Sequence, residues 1–218
     1  MPKTSHIAKV VLLGLFTLFI LSCKDTGSRF ELMKPSTTGV AFNNELSYTE
    51  TFNPYTYRNF YNGAGVALGD INNDGLIDIY FTGNLVNNAL YLNRGDFKFE
   101  EIAETAGVAC KNIWSSGATF VDINQDGWLD LYVCKSGMPG GENRHNELFI
   151  NQKNNTFKEQ AKAYGLDHFG FSTQAYFFDF DNDDDLDMYL VNHRKDFSIK
   201  EAKEPFNSDQ LFRNDGAT

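Results

Sequence analysis

The sequence has little positive charge and few cysteines, and each shortage narrows the classes of protein it can encode. It contains 19 Lys and Arg against 29 Asp and Glu, which gives a net charge of −10. Because phosphate contacts require clustered basic side chains, this balance argues against a nucleic-acid partner. Of its three cysteines, only Cys110 and Cys134 follow Cys23. These two could form a disulfide in an oxidising compartment or lie apart as small apolar side chains.

The sequence also lacks an apolar run long enough for a comfortable membrane span. Residues 10–21 form an apolar run of twelve residues behind Lys3 and Lys9, whereas a spanning helix needs roughly 20. The run leads into Ile-Leu-Ser-Cys at residues 20–23, which resembles a bacterial lipobox, in which Cys23 would be lipidated and become the mature N-terminus. An ordinary signal peptide or an anchor helix are the alternatives. Lys24 and Asp25 resemble the charged tag of lipoproteins displayed on the outer face of the outer membrane. The sequence therefore predicts an exported lipoprotein of the bacterial outer membrane, anchored through Cys23, with residues 1–22 as its signal peptide.

What the sequence does contain favours β-structure. Hydrophobic residues make up 42% of the chain, and 20 Phe and 10 Tyr are present. Aromatic side chains pack well on pleated surfaces, so this composition predicts a folded, strand-rich protein.

Three segments of the chain repeat one another, beginning near Gly65, Ala118 and Ala175. Each has a short apolar stretch, an aspartate-rich loop, a second apolar stretch and a similar downstream piece. The first motif aspartates, Asp70 and Asp122, lie 52 residues apart, and the next, Asp179, follows after 57. Four short strands in such a unit match one propeller blade, although a linear solenoid has similar periods. We expect an N-terminal extension at residues 23–62 that could contain a first strand, and blades at 63–115, 116–172 and 173–218, the last one truncated.

The repeated loops carry oxygen donors at positions 1, 3, 5 and 9, and the backbone carbonyl at position 7 could add another. Oxygen donors this close repel one another unless a cation lies among them, and calcium takes six to eight such ligands. One alternative is a set of plain hairpin turns, which a threefold repetition disfavours. Another is an EF-hand, which needs a Glu at position 12, where this chain has Phe81, Val133 and Leu190. The sequence thus predicts about three calcium ions. The candidate ligands are Asp70, Asn72, Asp74, Leu76 and Asp78; Asp122, Asn124, Asp126, Trp128 and Asp130; and Asp179, Asp181, Asp183, Asp185 and Asp187.

Position 6 of these loops differs among the copies. Gly75 and Gly127 are expected to supply the positive φ that folds the loop around an ion. The third copy has Asp184 there, which adopts that conformation less readily and predicts some strain at the third site.

These segments, together with TGVAFNN at residues 38–44 and RHNELFIN at 144–151, resemble the FG-GAP/VCBS repeat family. Within it they are most similar to Bacteroidetes lipoproteins related to cartilage acidic protein, of the ASPIC/UnbV type. The resemblance implies an all-β fold, a partial β-propeller of about three FG-GAP-type blades where the family usually has about seven. It also implies that the loop positions named above bind calcium and that the chain is the N-terminal part of a longer protein. Three such blades would leave outer faces uncovered, so we expect the chain to be poorly soluble or to self-associate.

These observations together predict a calcium-binding lipoprotein, exposed at the surface or in the periplasm, that acts as a binding or adhesion module for a protein or glycan ligand. Calcium would then be structural, and no catalytic residues are predicted. The alternative is a component of a calcium-dependent glycan-processing enzyme, a lyase or hydrolase, with its active site outside this chain.

Overall fold

Eleven β-strands and two single-turn helices make up the part of the chain that is described in this computed structural model. That part comprises residues 29–136, 144–193 and 208–216. The chain divides into a short first unit, Met1–Met33, and a second unit, Lys34–Thr218, which contains every helix and strand given below. The predicted signal peptide and Cys23 lie outside the described residues. Within the described ranges, no helix has both the length and the apolar character needed to cross a bilayer.

The strands form three separate antiparallel sheets, one for each sequence repeat. The first contains β1 (Val66–Gly69), β2 (Asp78–Phe81), β3 (Ala89–Asn93) and β4 (Phe99–Glu101), paired in that order. The second contains β5 (Ser115–Val121), β6 (Asp130–Lys135), β7 (Glu147–Asn151) and β8 (Phe157–Glu159), again in order. The third contains β9 (Ser172–Phe178), β10 (Asp187–Asn192) and β11 (Gln210–Phe212), in the order β11-β10-β9. The all-β fold and the partial propeller are confirmed, and the sheets do not close into a ring within the described residues.

The second sheet lies between the other two, and β6 shows how its sequence fits that place. All six residues of β6 are buried. Because successive side chains point to opposite faces of a sheet, the strand serves two cores at once. Leu131 and Val133 belong to the core shared with the first sheet, whereas Tyr132 and Cys134 belong to the core shared with the third. An uninterrupted apolar run therefore reflects burial on both faces.

The first repeat ends differently from a simple hairpin series. The segment around residues 97–106 could be read from the sequence as a fourth strand or as a helical turn, and it contains both: β4 and the helix Ala103–Ala106. Gly107 ends that helix with a left-handed conformation. The N-terminal extension contains a similar single-turn helix, Pro35–Thr38, which also ends at a left-handed glycine, Gly39. The sequence did not predict this helix.

The described part of the N-terminal extension, residues 29–62, contains this helix and turns but no strand, so the first strand suggested for it is absent there. Instead, three aromatic side chains, Phe52, Tyr57 and Phe60, pack in a cluster with Trp114 and Phe171. Turn hydrogen bonds hold this segment, because the Asn53 side chain caps the N–H groups of two residues that follow it. The extension is thus anchored by aromatic packing instead of by sheet pairing.

Both cysteines in the described part are free thiols, which decides the alternative left open by the sequence. Cys134 is buried in the core between the second and third sheets. The Cys110 thiol donates a hydrogen bond to Glu147 at 3.0 Å, and burial raises the pKa of this thiol.

Candidate functional site

The three aspartate-rich loops occupy equivalent places, each joining the first strand of its sheet to the second. Each loop has two left-handed residues, at positions 4 and 6. Their φ angles are 57° and 84° in the first loop, 56° and 83° in the second, and 62° and 70° in the third. The positive φ expected of Gly75 and Gly127 is confirmed, and Asp184 adopts the same conformation. The left-handed residues at position 4 were not anticipated.

The backbone of each loop curls around the carboxylate at position 1. Asp70 accepts hydrogen bonds from the backbone N–H groups of Asp74 at 3.1 Å and Gly75 at 2.7 Å. Asp122 accepts the corresponding bonds at 3.0 Å and 2.8 Å. Asp179 accepts them at 3.2 Å from both Asp183 and Asp184. The position-1 oxygens therefore point into the concave side of each loop, as a ligand there must.

The carboxylate at position 5 is fixed by the next peptide. Its Oδ1 accepts the N–H of position 7: Leu76 to Asp74 at 2.9 Å, Trp128 to Asp126 at 3.0 Å, and Asp185 to Asp183 at 3.0 Å. In the first two loops the position-3 asparagine also accepts a hydrogen bond from the position-5 N–H. Positions 1, 3 and 5 are thereby drawn together along the chain.

The aspartates at position 9, namely Asp78, Asp130 and Asp187, are buried and bind two segments each. One oxygen accepts the N–H of loop position 2, at 3.0 Å from Ile71, 3.3 Å from Ile123 and 2.8 Å from Phe180. The other accepts the N–H of an asparagine at the end of the third strand of the sheet, or two residues beyond it in the third sheet, at 2.8 Å in all three cases. This residue therefore connects the acidic loop to the neighbouring turn of the same sheet.

Burial of these carboxylates has an electrostatic consequence. Desolvation raises the pKa of Asp130 to about 6, against the lowering effect of the backbone hydrogen bonds that it accepts. Desolvation likewise raises the pKa of Asp78. The carboxylates at positions 1 and 5 of the first two loops raise the pKa of Asp78 and Asp130 in the same direction. A divalent cation among these groups would favour their ionised forms.

In the third loop, three carboxylates lie close together. Oxygens of Asp179, Asp181 and Asp187 all lie within 4.8 Å of one another. The first two loops have an asparagine at position 3, so they offer an amide oxygen where the third offers a carboxylate. Partial desolvation and the neighbouring Asp183 carboxylate raise the pKa of Asp181. Hard oxygen donors in this number and spacing fit calcium, which accepts carboxylate, amide and carbonyl oxygens in loose geometry.

Three asparagines form the part of the site that the sequence reasoning missed, and they lie at the end of the third strand in the first two sheets and just after it in the third. Each carries the N–H that binds the position-9 aspartate, and its side-chain amide donates to the carbonyl of loop position 8. These residues are Asn93, Asn151 and Asn214. The signal was present, because an asparagine occupies the same place in NALYLN, NELFIN and DQLFRN.

Comparison with known proteins agrees with this architecture. Residues 70–133 match the family model described as FG-GAP-like repeat. Cartilage acidic protein 1 of Xenopus tropicalis is 29% identical over 133 residues, and the human protein of the same name is 28% identical over 133 residues. Each match covers 60% of this chain but only 20% and 19% of the respective relative. The chain thus spans about a fifth of the length of these curated relatives. Residues 70–133 form an FG-GAP-like repeat domain, and over part of its length the chain is homologous to cartilage acidic protein 1.

Proposed function

We propose that the chain is a calcium-stabilised binding module, in which about three calcium ions fix the loops of successive sheets. The donor set supports this proposal: carboxylate or amide oxygens at positions 1, 3, 5 and 9, with a backbone carbonyl at position 7. Calcium accepts six to eight hard oxygens of these kinds, and soft ligands such as thiols do not occur at these positions.

The observation that carries the proposal is the position-9 aspartate. Three carboxylates in equivalent places are buried, although an unpaired buried charge is costly. Each is held by two backbone N–H groups from different segments, so it cannot turn away into solvent. A cation in the loop would compensate this charge and connect the loop to the turn after the third strand.

The expected effect of calcium on stability is moderate for each loop. Extracellular calcium modules bind at about 10⁻⁴–10⁻³ M. With free calcium at roughly ten times the dissociation constant, each site would stabilise the fold by about 1.4 kcal/mol. We expect the melting temperature to rise with millimolar calcium and to fall when EGTA is added, as measured by differential scanning calorimetry.

A matched pair of variants tests whether the loops are responsible. Asp74→Asn removes a loop carboxylate while keeping an oxygen that can accept the Leu76 N–H, and it should reduce the calcium-dependent part of the melting shift. Asp96→Asn removes one exposed charge from a turn outside the loops and should leave that part unchanged. A melting curve that is the same in calcium and in EGTA would refute the proposal.

The proposed role is binding rather than catalysis, with a protein or glycan as ligand in adhesion. The clustered carboxylates support this, because backbone hydrogen bonds and the proposed ion account for them. Turnover of a glycan by the full-length protein would instead favour the glycan-processing alternative.

We also propose that the protein is an exported lipoprotein, since residues 20–23 resemble a lipobox. Metabolic labelling with a radioactive fatty acid in a bacterial host should mark the intact chain and leave a Cys23→Ser variant unmarked. Equal labelling of both would contradict the anchor.

A further inference from the structure

Neighbouring loops are joined by side-chain hydrogen bonds in a repeating manner. The position-4 amide of Asn73 in the first loop donates to the carbonyl of Gly127 in the second, at 3.0 Å. The position-4 amide of Gln125 in the second loop donates to the carbonyl of Asp184 in the third, at 2.7 Å. Both donors are at position 4 and both acceptors are at position 6, so the same link occurs twice between successive sheets.

Each link ends on a peptide that also holds a candidate calcium ligand. The carbonyl of Gly127 and the N–H of Trp128 belong to one rigid peptide unit. Asn73 binds that unit through its carbonyl, and Asp126 binds it through its N–H at 3.0 Å. In the next pair of loops, Gln125 and Asp183 hold the peptide between residues 184 and 185 in the same way.

The residue that donates each inter-loop hydrogen bond is also a sequence neighbour of candidate ligands. Asn73 stands between Asn72 and Asp74, which occupy positions 3 and 5 of the first loop. An ion that orders these two residues therefore also orders the backbone from which the Asn73 amide projects. The amide then helps to hold the peptide that orients Asp126 in the second loop.

We propose that Asn73 and Gln125 are positioning residues that couple neighbouring calcium sites, so that filling one loop raises the affinity of the next. This inference rests on the proposed calcium function but goes beyond it, because independent sites would stabilise the fold equally well. One neutral hydrogen bond at each link sets the expected size of the coupling at roughly threefold to tenfold in affinity.

The test measures binding at the second loop while the first is full or disabled. Terbium(III), an oxygen-seeking substitute for calcium, is titrated into the whole chain, and its emission is excited through Trp128, which lies in the second loop. A Trp128→Phe variant identifies this signal. The first loop is disabled by Asp70→Asn with Asp74→Asn, which keeps oxygens able to accept the loop N–H groups. Salt at about 0.15 M screens long-range effects of the lost charges.

We expect the disabled first loop to raise the half-saturating terbium concentration of the second loop roughly threefold to tenfold. The shift should vanish when Asn73→Gly is also present, since Gly keeps the left-handed backbone and removes only the amide. Asn112 is the matched control: it is an exposed asparagine at φ 56°, against 57° for Asn73, and lies outside the loops. Asn112→Gly should leave the shift intact.

Two results would overturn the coupling while leaving calcium binding in place. One is an unchanged affinity of the second loop when the first is disabled, and the other is a shift that persists in full with Asn73→Gly. If neither terbium nor calcium binds the unaltered chain, as judged by emission and by calorimetry, the proposed function itself fails and the coupling with it.

Discussion

The second and third sheets have the same tyrosine–leucine cross-strand pair on one face, but the pair is buried in one sheet and partly exposed in the other. Tyr132 and its cross-strand partner Leu148 are both 0% exposed. The equivalent pair in the third sheet, Tyr189 and Leu211, is 37% and 46% exposed. The side chains are of the same type and the pairing register is the same.

The difference comes from the neighbour and not from the strand. Tyr132 packs edge-on against Phe177 of the third sheet, with ring centroids 5.6 Å apart. Within the described residues no further sheet covers Tyr189. Each sheet therefore completes its core only with the next one, as in repeat proteins whose stability depends on nearest-neighbour interfaces. Self-association through this exposed face stays a prediction.

The largest expected effect is the difference in stability loss between alanine substitutions at Leu148 and at Leu211. Leu148→Ala should reduce the free energy of unfolding by about 2–5 kcal/mol, because it leaves a cavity in a packed core. Leu211→Ala should cost less than about 1 kcal/mol, because its side chain is already half exposed. Urea unfolding followed by tryptophan fluorescence gives both values. Equal losses would mean that a partner, such as a second copy of the chain, covers the third sheet in solution, and repeating the measurement over a range of protein concentrations would detect it.

A smaller effect is expected from the tyrosine hydroxyls. The Tyr132 hydroxyl donates to the Leu166 carbonyl at 2.9 Å and accepts from Asn146 at 3.1 Å, both in buried surroundings. Tyr132→Phe leaves these partners unsatisfied and should cost about 1–3 kcal/mol. The Tyr189 hydroxyl donates to Asp209 near the surface at 3.1 Å, so Tyr189→Phe should stay within about 0.5 kcal/mol. The same unfolding assay compares them, and a large loss for Tyr189→Phe would show that its face is covered.

The sequence could predict the strands and loops of the three sheets, but not which of their faces are buried. The strands and loops repeat with their ligand positions, so their existence follows from local pattern. Tyr132 and Tyr189 are the same residue type in the same pairing register, yet they differ in burial. Whether a strand face is buried therefore depends on long-range packing and not on the local sequence. The aromatic cluster around Trp114 was missed for the same reason, since its members are far apart in the sequence.

Within the candidate site, the sequence indicated the candidate ligand residues but not the contacts that hold them in place. Spacing alone assigns Asp130 to loop position 9, yet its partner Asn151 lies 21 residues further on. Only the sheet register brings the two together, because β6 pairs with β7. The inter-loop bond from Asn73 to Gly127 spans 54 residues and depends on how two sheets pack.

The smallest expected effect is the stability cost of having aspartate at position 6 of the third loop, where the second loop has glycine. Gly127 and Asp184 have φ angles of 83° and 70°, and the left-handed region costs an ordinary L-residue about 1–2 kcal/mol, with aspartate at the low end. Asp184→Gly should therefore stabilise the chain by up to about 1 kcal/mol in EGTA, part of it from one fewer negative charge beside Asp183. Asp184→Asn is the control, because it removes the charge while keeping a side chain that tolerates this conformation. If Asp184→Gly melts no higher than Asp184→Asn, backbone strain plays no part in the third loop, and the difference between the loops is one of charge alone.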